Sequence, residues 1–249
     1  MTERLATTMF SDQELHPILN KIEHIRSDSL LSTLLNANEY VAIAIWDCDG
    51  TALIANKYIT DCFFQSDPSD VMGHNIREFI PSGWARERLD IVNRCIDTNE
   101  PIVMLSILQG QRVRLCFHPL VTDHNDRVKP CALMTVEHIS AERYNRIVKE
   151  DKGTVLHSDF VNLGPLDVLT ARQLEVLALM GQGKRTKEIA KMLCRSPSTI
   201  ENHRDMIGSK LNVTDRSKLI EIANLAALQV EDAGRKRVRF RYEHPRQNG

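Results

Sequence analysis

The sequence predicts an α+β fold, an antiparallel sheet with helices grouped on one face, followed by a separate all-helical domain. Three observations carry this expectation. Short apolar runs joined by hairpin signals occupy residues 40–136, with a helical stretch between the second run and the third. From Leu169 onward, four short helices can be written from their capping residues alone. Charge divides the chain in the same place: residues 1–150 hold 15 Lys+Arg against 21 Asp+Glu, a net of −6, whereas 151–249 hold 17 against 12, a net of +5.

A chain of 249 residues suffices for two small domains, each with its own core. The 42% apolar composition is that of a folded chain, and no apolar run approaches the roughly 20 residues of a membrane helix. MTERLATTMF at the start lacks an apolar h-region of about 7 to 15 residues, so the expectation is a cytoplasmic protein with no membrane partner. Cys48, Cys62, Cys95, Cys116, Cys131 and Cys194 contain no C-x-x-C pair, which argues against a zinc knot and against a disulfide framework. No metal site and no certain cofactor is expected.

Taken in order, residues 1–35 place Leu15, Ile18, Leu19, Ile22 and Ile25, then Leu30, Leu31, Leu34 and Leu35, at helical spacing. This amphipathic segment packs either on its own domain or on a second copy, since 15, 18, 22, 25 is a short a/d pattern. From Tyr40 the pattern becomes strands: V41-A-I-A-I-W46, the turn Asp49-Gly50, and T51-A-L-I-A55. Asp-Gly between two apolar runs signals a hairpin. Ile91, Val92, Cys95 and Ile96 then share one face of a helix, and I102-V-M-L-S-I-L108, V113-R-L-C-F117 and C131-A-L-M-T-V136 supply three more strands. A141-E-R-Y-N-R-I-V-K-E-D-K152 reads as a connecting helix, and GTVLHSDFVNLGP (153–165) as a linker marked by Gly153, Gly164 and Pro165.

D49-G-T-A-L-I-A-N56, V71-M-G-H-N-I-R-E-F-I80 and the last strand running through V136-E-H-I-S140 into a helix resemble a PAS sensor domain. The resemblance covers about residues 36–138, followed by linker helix and linker over 139–162. It implies a five-stranded antiparallel sheet, often dimeric, with a pocket for a small-molecule ligand under its helices. Candidates to line that pocket are Ile43, Ile45, Phe63, Ile76, Phe79 and Leu115. G73-H-N-I-R-E-F79 also resembles the flavin-binding loop of light-sensing relatives, but Ile76 stands where their reactive Cys would be, so no thiol adduct can form there. His74 as a haem ligand and the Cys116-Phe117-His118 run are weighed against ordinary loop and strand residues, and the ordinary reading is favoured in both cases. D47-C-D49-G-T51 matches the opening of haloacid-dehalogenase-like phosphatases, in which a carboxylate attacks phosphorus. That chemistry needs a Lys and a further acidic pair on a parallel sheet. Here only hairpin-like strands follow, with D123-H-N-D126 in an apparent hairpin loop, so the chain is not expected to be an enzyme.

In the C-terminal half, Thr170 and Gln173 form a capping box ahead of Leu174, Val176, Leu177 and Met180, and Gly181 and Gly183 end that helix. Thr186 is expected to cap K187-E-I-A-K-M-L193. Ser196 caps the next helix, with Pro197 in its first turn and Asn212 as the left-handed residue at its end. Thr214-Asp215 opens the last, whose apolar positions exceed one packing face. Two helices joined by C194-R-S196 fit a helix-turn-helix, with Ile200, Ile207 and Leu211 inward and Ser198, Glu201, Asn202, Asp205 and Ser209 outward.

L169-T-A-R-Q-L-E-V-L177, T186-K-E-I-A190, S196-P-S-T-I-E-N-H-R204 and K210-L-N-V-T-D-R216 resemble the LuxR-type (GerE/FixJ-like) DNA-binding domain over about residues 163–228. The resemblance implies four helices, base reading by the third, and near-palindromic double-stranded DNA bound by a homodimer paired through the fourth. RNA polymerase is a further candidate partner. The expected DNA contacts are Lys184, Arg185, Thr186, Lys187, Ser198, Thr199, Glu201, Asn202, His203, Arg204, Asp205 and Lys210; the expected dimer contacts are Leu219, Ile222, Ala223 and Ala226.

Two carboxylates on a groove-facing helix need a reason. Phosphates line only the rim of the groove, and its floor offers the cytosine N4 donor that a carboxylate can accept, while Asn202 can grip adenine bidentately. The competing role for Glu201 is an i,i+3 ion pair that orients Arg204. Asp205 is expected to act by rejecting wrong sequences. His203 is either a phosphate donor or a buried, hydrogen-bonded ring. For the tail at 229–249, G234-R-K-R-V-R-F-R-Y242 leaves two readings open, a polyanion-binding run or a solvated end. The composite expectation is a transcriptional regulator in which a PAS-like domain senses a ligand or partner; the alternative is a PAS-mediated protein–protein interaction regulator with no small ligand.

Overall fold

Hairpin geometry at residues 42–55 starts the sheet. In the computed structural model, which describes residues 42–64, 66–120, 130–151 and 153–240, β1 (Ala42–Asp47) pairs antiparallel with β2 (Ala52–Ala55). Gly50 has φ +91°, which a residue with a side chain adopts only at a cost, and the Asp47 carboxylate accepts from the N–H groups of Asp49 (3.0 Å) and Thr51 (2.8 Å). D47-C-D49-G-T51 is thus a turn between antiparallel strands. The N-terminal stripe at 15–35 and the D123-H-N-D126 loop lie outside the described residues.

Asn56 then caps the first of several short helical turns: α1 (Lys57–Ile59), a π turn over Thr60–Phe64, α2 (Pro68–Val71) and α3 (Ile76–Phe79). α4 (Ser82–Thr98) is the long helix of this half and ends on the left-handed Asn99. β3 (Ile102–Leu108), β4 (Gln111–Leu120) and β5 (Cys131–His138) follow, and β5 inserts between β1 and β4. The antiparallel order β2-β1-β5-β4-β3, with α1 to α4 over one face, is the α+β sheet the sequence predicts.

The sheet does not stop at five strands. After α5 (Ala141–Glu150), residues read as linker form β6 (Leu156–Val161), parallel to β3; residues of the basic tail form β7 (Lys236–Arg237), parallel to β6. LHSDFV buries only Ser158 and Val161, so no apolar alternation marks it as a strand. The tail likewise departs from both of its readings over 235–240, where Val238 and Phe240 are buried in the core under the sheet.

Four helices complete the chain: α6 (Ala171–Gly181), α7 (Thr186–Met192), α8 (Pro197–Leu211) and α9 (Arg216–Leu225), with 3-10 turns at Gly164–Val168 and Val230–Gly234. Their core includes Ile107 and Val161 of the sheet, so this helical part packs directly against strands β3 and β6. Among the described residues, no helix is long and apolar enough to cross a membrane.

Candidate functional site

Local capping sets the helix-turn-helix. Thr170 and Gln173 form the predicted box, with the Thr170 N–H donating to Gln173 Oε1 at 2.9 Å and Gln173 N–H donating back to Thr170 Oγ1 at 3.3 Å. Ser196 Oγ accepts from Thr199 N–H at 3.2 Å, Pro197 occupies the first position of α8, and Asn212 closes it at φ 54°. Thr186 is the first residue of α7, not its cap; Arg185 takes the cap position, and its N–H donates to Glu188 Oε2 at 2.7 Å.

Burial sorts α8 as its period requires. Ile200 and Ile207 are fully buried, while Ser198, Glu201, Asn202, Asp205 and Ser209 are exposed. Met206, 51% exposed, stands among them and is not one of the outward residues expected from the sequence; its place one turn after Asn202 is the signal that puts it there. Arg185 and Lys187 are exposed beside this face, with Lys184, Thr186 and Thr199 half-buried.

Three expected contacts are placed otherwise. Arg204 makes no ion pair with Glu201 among the described residues; its guanidinium lies 3.5 Å from Thr186 Oγ1 on α7, half-buried between the two helices. Lys210 Nζ donates to Val168 O (3.0 Å) and Gln173 Oε1 (2.9 Å), so it ties the end of α8 to the start of α6. His203 is half-buried, and its Nδ1 has no partner among the described residues.

On α9 the expected dimer contacts are corrected. Leu219, Ala223 and Ala226 lie in the core against α6, and Ile222 is half-buried against the same cluster; the outer face carries Leu225, 61% exposed. A helix apolar on more than one face leaves the choice of inward face to its neighbours.

Under the sheet lies a small cavity of about 50 Å³, bounded by Phe63, Ile76 and Leu115 as expected, and also by Trp46, Trp84, Arg88 and Phe240. Ile43 and Ile45 do not reach it: β1 turns Ala42, Ala44 and Trp46 to the core, and the isoleucines face the other side. Phe79 packs outside the cavity, edge-on to Phe64 at 5.0 Å. His74 sits on α3's rim with Nδ1 3.0 Å from Glu78 Oε2, and Cys116 is buried with its thiol pushed up by burial.

The α7–turn–α8 unit with a capped, outward-facing second helix agrees with the family comparison, in which residues 167–223 match the model for bacterial regulatory proteins, luxR family. Residues 167–223 are a LuxR-family domain. Individual proteins are similar over a part of the chain: DegU of Brevibacillus brevis is 35% identical over 88 residues, 34% of this chain and 37% of that protein. NreC of Staphylococcus carnosus is 41% identical over 59 residues, 24% of this chain and 27% of its own length. The chain thus spans only about a third of the length of such relatives. Among solved structures, a VqmA–ligand–DNA complex from Vibrio cholera superposes with a TM-score of 0.49 at 16% identity, covering 88% of this chain and 98% of that one. A PAS domain of an HTR-like protein from Haloarcula marismortui superposes with a TM-score of 0.34 at 18% identity, covering 51% and 99%.

Proposed function

We propose that the chain is a cytoplasmic, dimeric transcriptional regulator, with a sensor over residues 36–138 and a DNA reader over 163–228. The observation that carries this is the exposed face of α8, where Ser198, Glu201, Asn202, Asp205, Met206 and Ser209 stand together on a LuxR-family helix-turn-helix. In the major groove Asn202 grips adenine, Glu201 accepts from cytosine, and the Met206 thioether meets a thymine methyl. Arg185 and Lys187 meet phosphates at the rim, and Arg204 and Lys210 position α8 from within. Leu225 stands at the centre of the proposed pairing face, and each copy reads half of a near-palindromic site.

Selection of random duplex DNA by the full-length protein tests it. A single palindromic motif is expected, with affinity falling as salt rises. Asn202→Ala should lose about 1–3 kcal/mol at one base pair of each half-site; enrichment of no motif by the wild type would refute the reading.

One observation favours the second reading, in which a protein partner replaces the small ligand: the cavity of about 50 Å³ is much smaller than the roughly 300 Å³ at which ligand pockets begin. Titration of candidate partners against the DNA complex separates the two.

A further inference from the structure

One wall of the cavity is the chain's own C-terminal segment. Phe240 stacks obliquely against Trp84 (ring centroids 5.1 Å apart) and Phe63 (6.1 Å), and is 8% exposed. It arrives on a strap, residues 235–240, whose alternate side chains face two different structures. Val238 and Phe240 enter the core under the sheet. Arg237 and Arg239 turn the other way: Arg237 Nη1 donates to Leu169 O (2.7 Å) and Asp167 O (3.1 Å), and Arg239 donates to Asp167 Oδ2 through Nε (2.8 Å) and Nη2 (2.5 Å). Asp167 and Leu169 immediately precede α6, the first helix of the LuxR-family domain. One short segment therefore walls the cavity with one face and holds the front of the reader with the other.

The remaining lining describes what would replace the ring. Two indole N–H groups, Trp46 Nε1 and Trp84 Nε1, are buried with no acceptor among the described residues. Arg88 is buried too; its guanidinium donates to Met104 Sδ (3.0 Å) and lies 3.5 Å from Ser106 Oγ, and its nearby carboxylate is Glu87 at 3.4 Å. Burial pulls Arg88 down to about 10, against Glu87, so it keeps its charge at neutral pH. Glu87 is shared, since its carboxylate also accepts from Ser158 Oγ (2.7 Å) and the Asp159 N–H (2.6 Å). The residues that line the cavity carry three side-chain donor groups, the two indoles and the cationic Arg88 guanidinium, set behind an almost wholly apolar surface, and a thioether is a poor acceptor for a guanidinium. A carboxylate would give Arg88 a planar, charge-assisted pair and the indoles an acceptor.

We propose that this cavity binds a single-ring aromatic carboxylate in place of the Phe240 ring, and that its entry releases the 235–240 strap from the LuxR-family domain. The inference rests on the reading of this chain as a sensor joined to a DNA reader. Phe240 supplies the ring's volume and none of its acceptors; the ligand supplies both. Release unpins Asp167 and Leu169 and lets the two readers of a dimer take the half-site spacing, so bound ligand tightens DNA binding.

The test uses the full-length protein, benzoate as probe, and the fluorescence of Trp46 and Trp84, the chain's two tryptophans, both of which line the cavity. Saturable quenching by benzoate is expected, with toluene and benzylamine weaker by at least about tenfold because they lack the acceptor. Phe240→Ala should bind benzoate about tenfold more tightly, and Arg88→Met should lose that binding. Arg239→Ala, an exposed change outside the cavity, should tighten both benzoate and operator binding, since coupling between two sites is reciprocal. Benzoate binding that is unchanged in both Phe240→Ala and Arg239→Ala overturns the strap's role, and toluene binding as well as benzoate overturns the ligand class. If no form of the protein selects DNA, the reader assignment fails while the fluorescence arm still decides the cavity; if DNA is selected but neither variant alters its affinity, the inference alone fails.

Discussion

At the scale of single residues, Asn56 shows how one side chain can set two elements. Its Oδ1 accepts from Ile43 N–H of β1 and from Ile59 N–H of α1, both at 3.0 Å, and the residue is 2% exposed. Asn56→Ala leaves the buried Ile59 N–H and the part-buried Ile43 N–H without this acceptor and should cost about 1–3 kcal/mol for the first and less for the second, read as a lowered denaturant midpoint. Histidines report on pH. The His138 and His157 rings keep part of their surface in water while packing removes the rest, and that burial pulls both below 6.5, joined at His157 by the charges of Arg235 and Arg112. A native pKa below the unfolded one means the unfolded chain binds more protons, so the stabilisation present above pH about 6.5 is lost as pH falls toward the native values. Melting temperature should therefore fall between pH about 7 and about 5, with a shallower slope in the His138→Gln, His157→Gln double variant. An unchanged slope would show that carboxylates, not these rings, set the acid response.

Among elements, α8 depends on close approach as much as on capping. A Cβ at Gly208 would stand 2.5 Å from Val213 O, in the turn that follows the helix. Gly208→Ala should raise intrinsic helix propensity yet destabilise by about 1–3 kcal/mol, because the backbone, not a movable side chain, is in the way. Calorimetry of that variant decides which effect wins; a higher melting temperature would mean the turn can yield. The boundaries of α6, α8 and α9 were legible because caps are local: Thr170, Ser196 and Asp215 each accept from an N–H two or three residues on. β6 was not legible, since its pairing with β3 joins residues about fifty positions apart and leaves little apolar pattern within LHSDFV. The face of β1 was misread for a related reason. Alternation along β1 does not say which of its faces is inward, and the smaller Ala42 and Ala44, not the bulkier Ile43 and Ile45, are the buried ones.

For the whole molecule, an ion pair shut off from water joins the sheet to the turn after α9. Arg112 of β4 donates to Asp232, in the turn after α9, and to Ala227 O at 3.1 Å; its guanidinium also lies 4.5 Å from the Tyr144 ring centroid. Breaking such a pair leaves a buried charge behind, so Asp232→Leu should cost about 3–5 kcal/mol, whereas Arg112→Met with Asp232→Leu should recover much of the loss. Equilibrium unfolding of the two single variants and the double measures that coupling; additive losses would mean the pair does not join the sheet to the reader. Sequence alone determined the helix-turn-helix, its outward α8 residues and the hairpin at Asp47–Thr51, because capping, period and turn chemistry act within a few residues of chain. Tertiary structure alone decided that Arg112 meets Asp232 across 120 positions, that Leu219 and Ala223 serve the domain's own core, and that a basic tail buries Phe240 among the tryptophans. Those contacts follow from which surfaces meet after folding, and burial between distant segments leaves no local pattern to read.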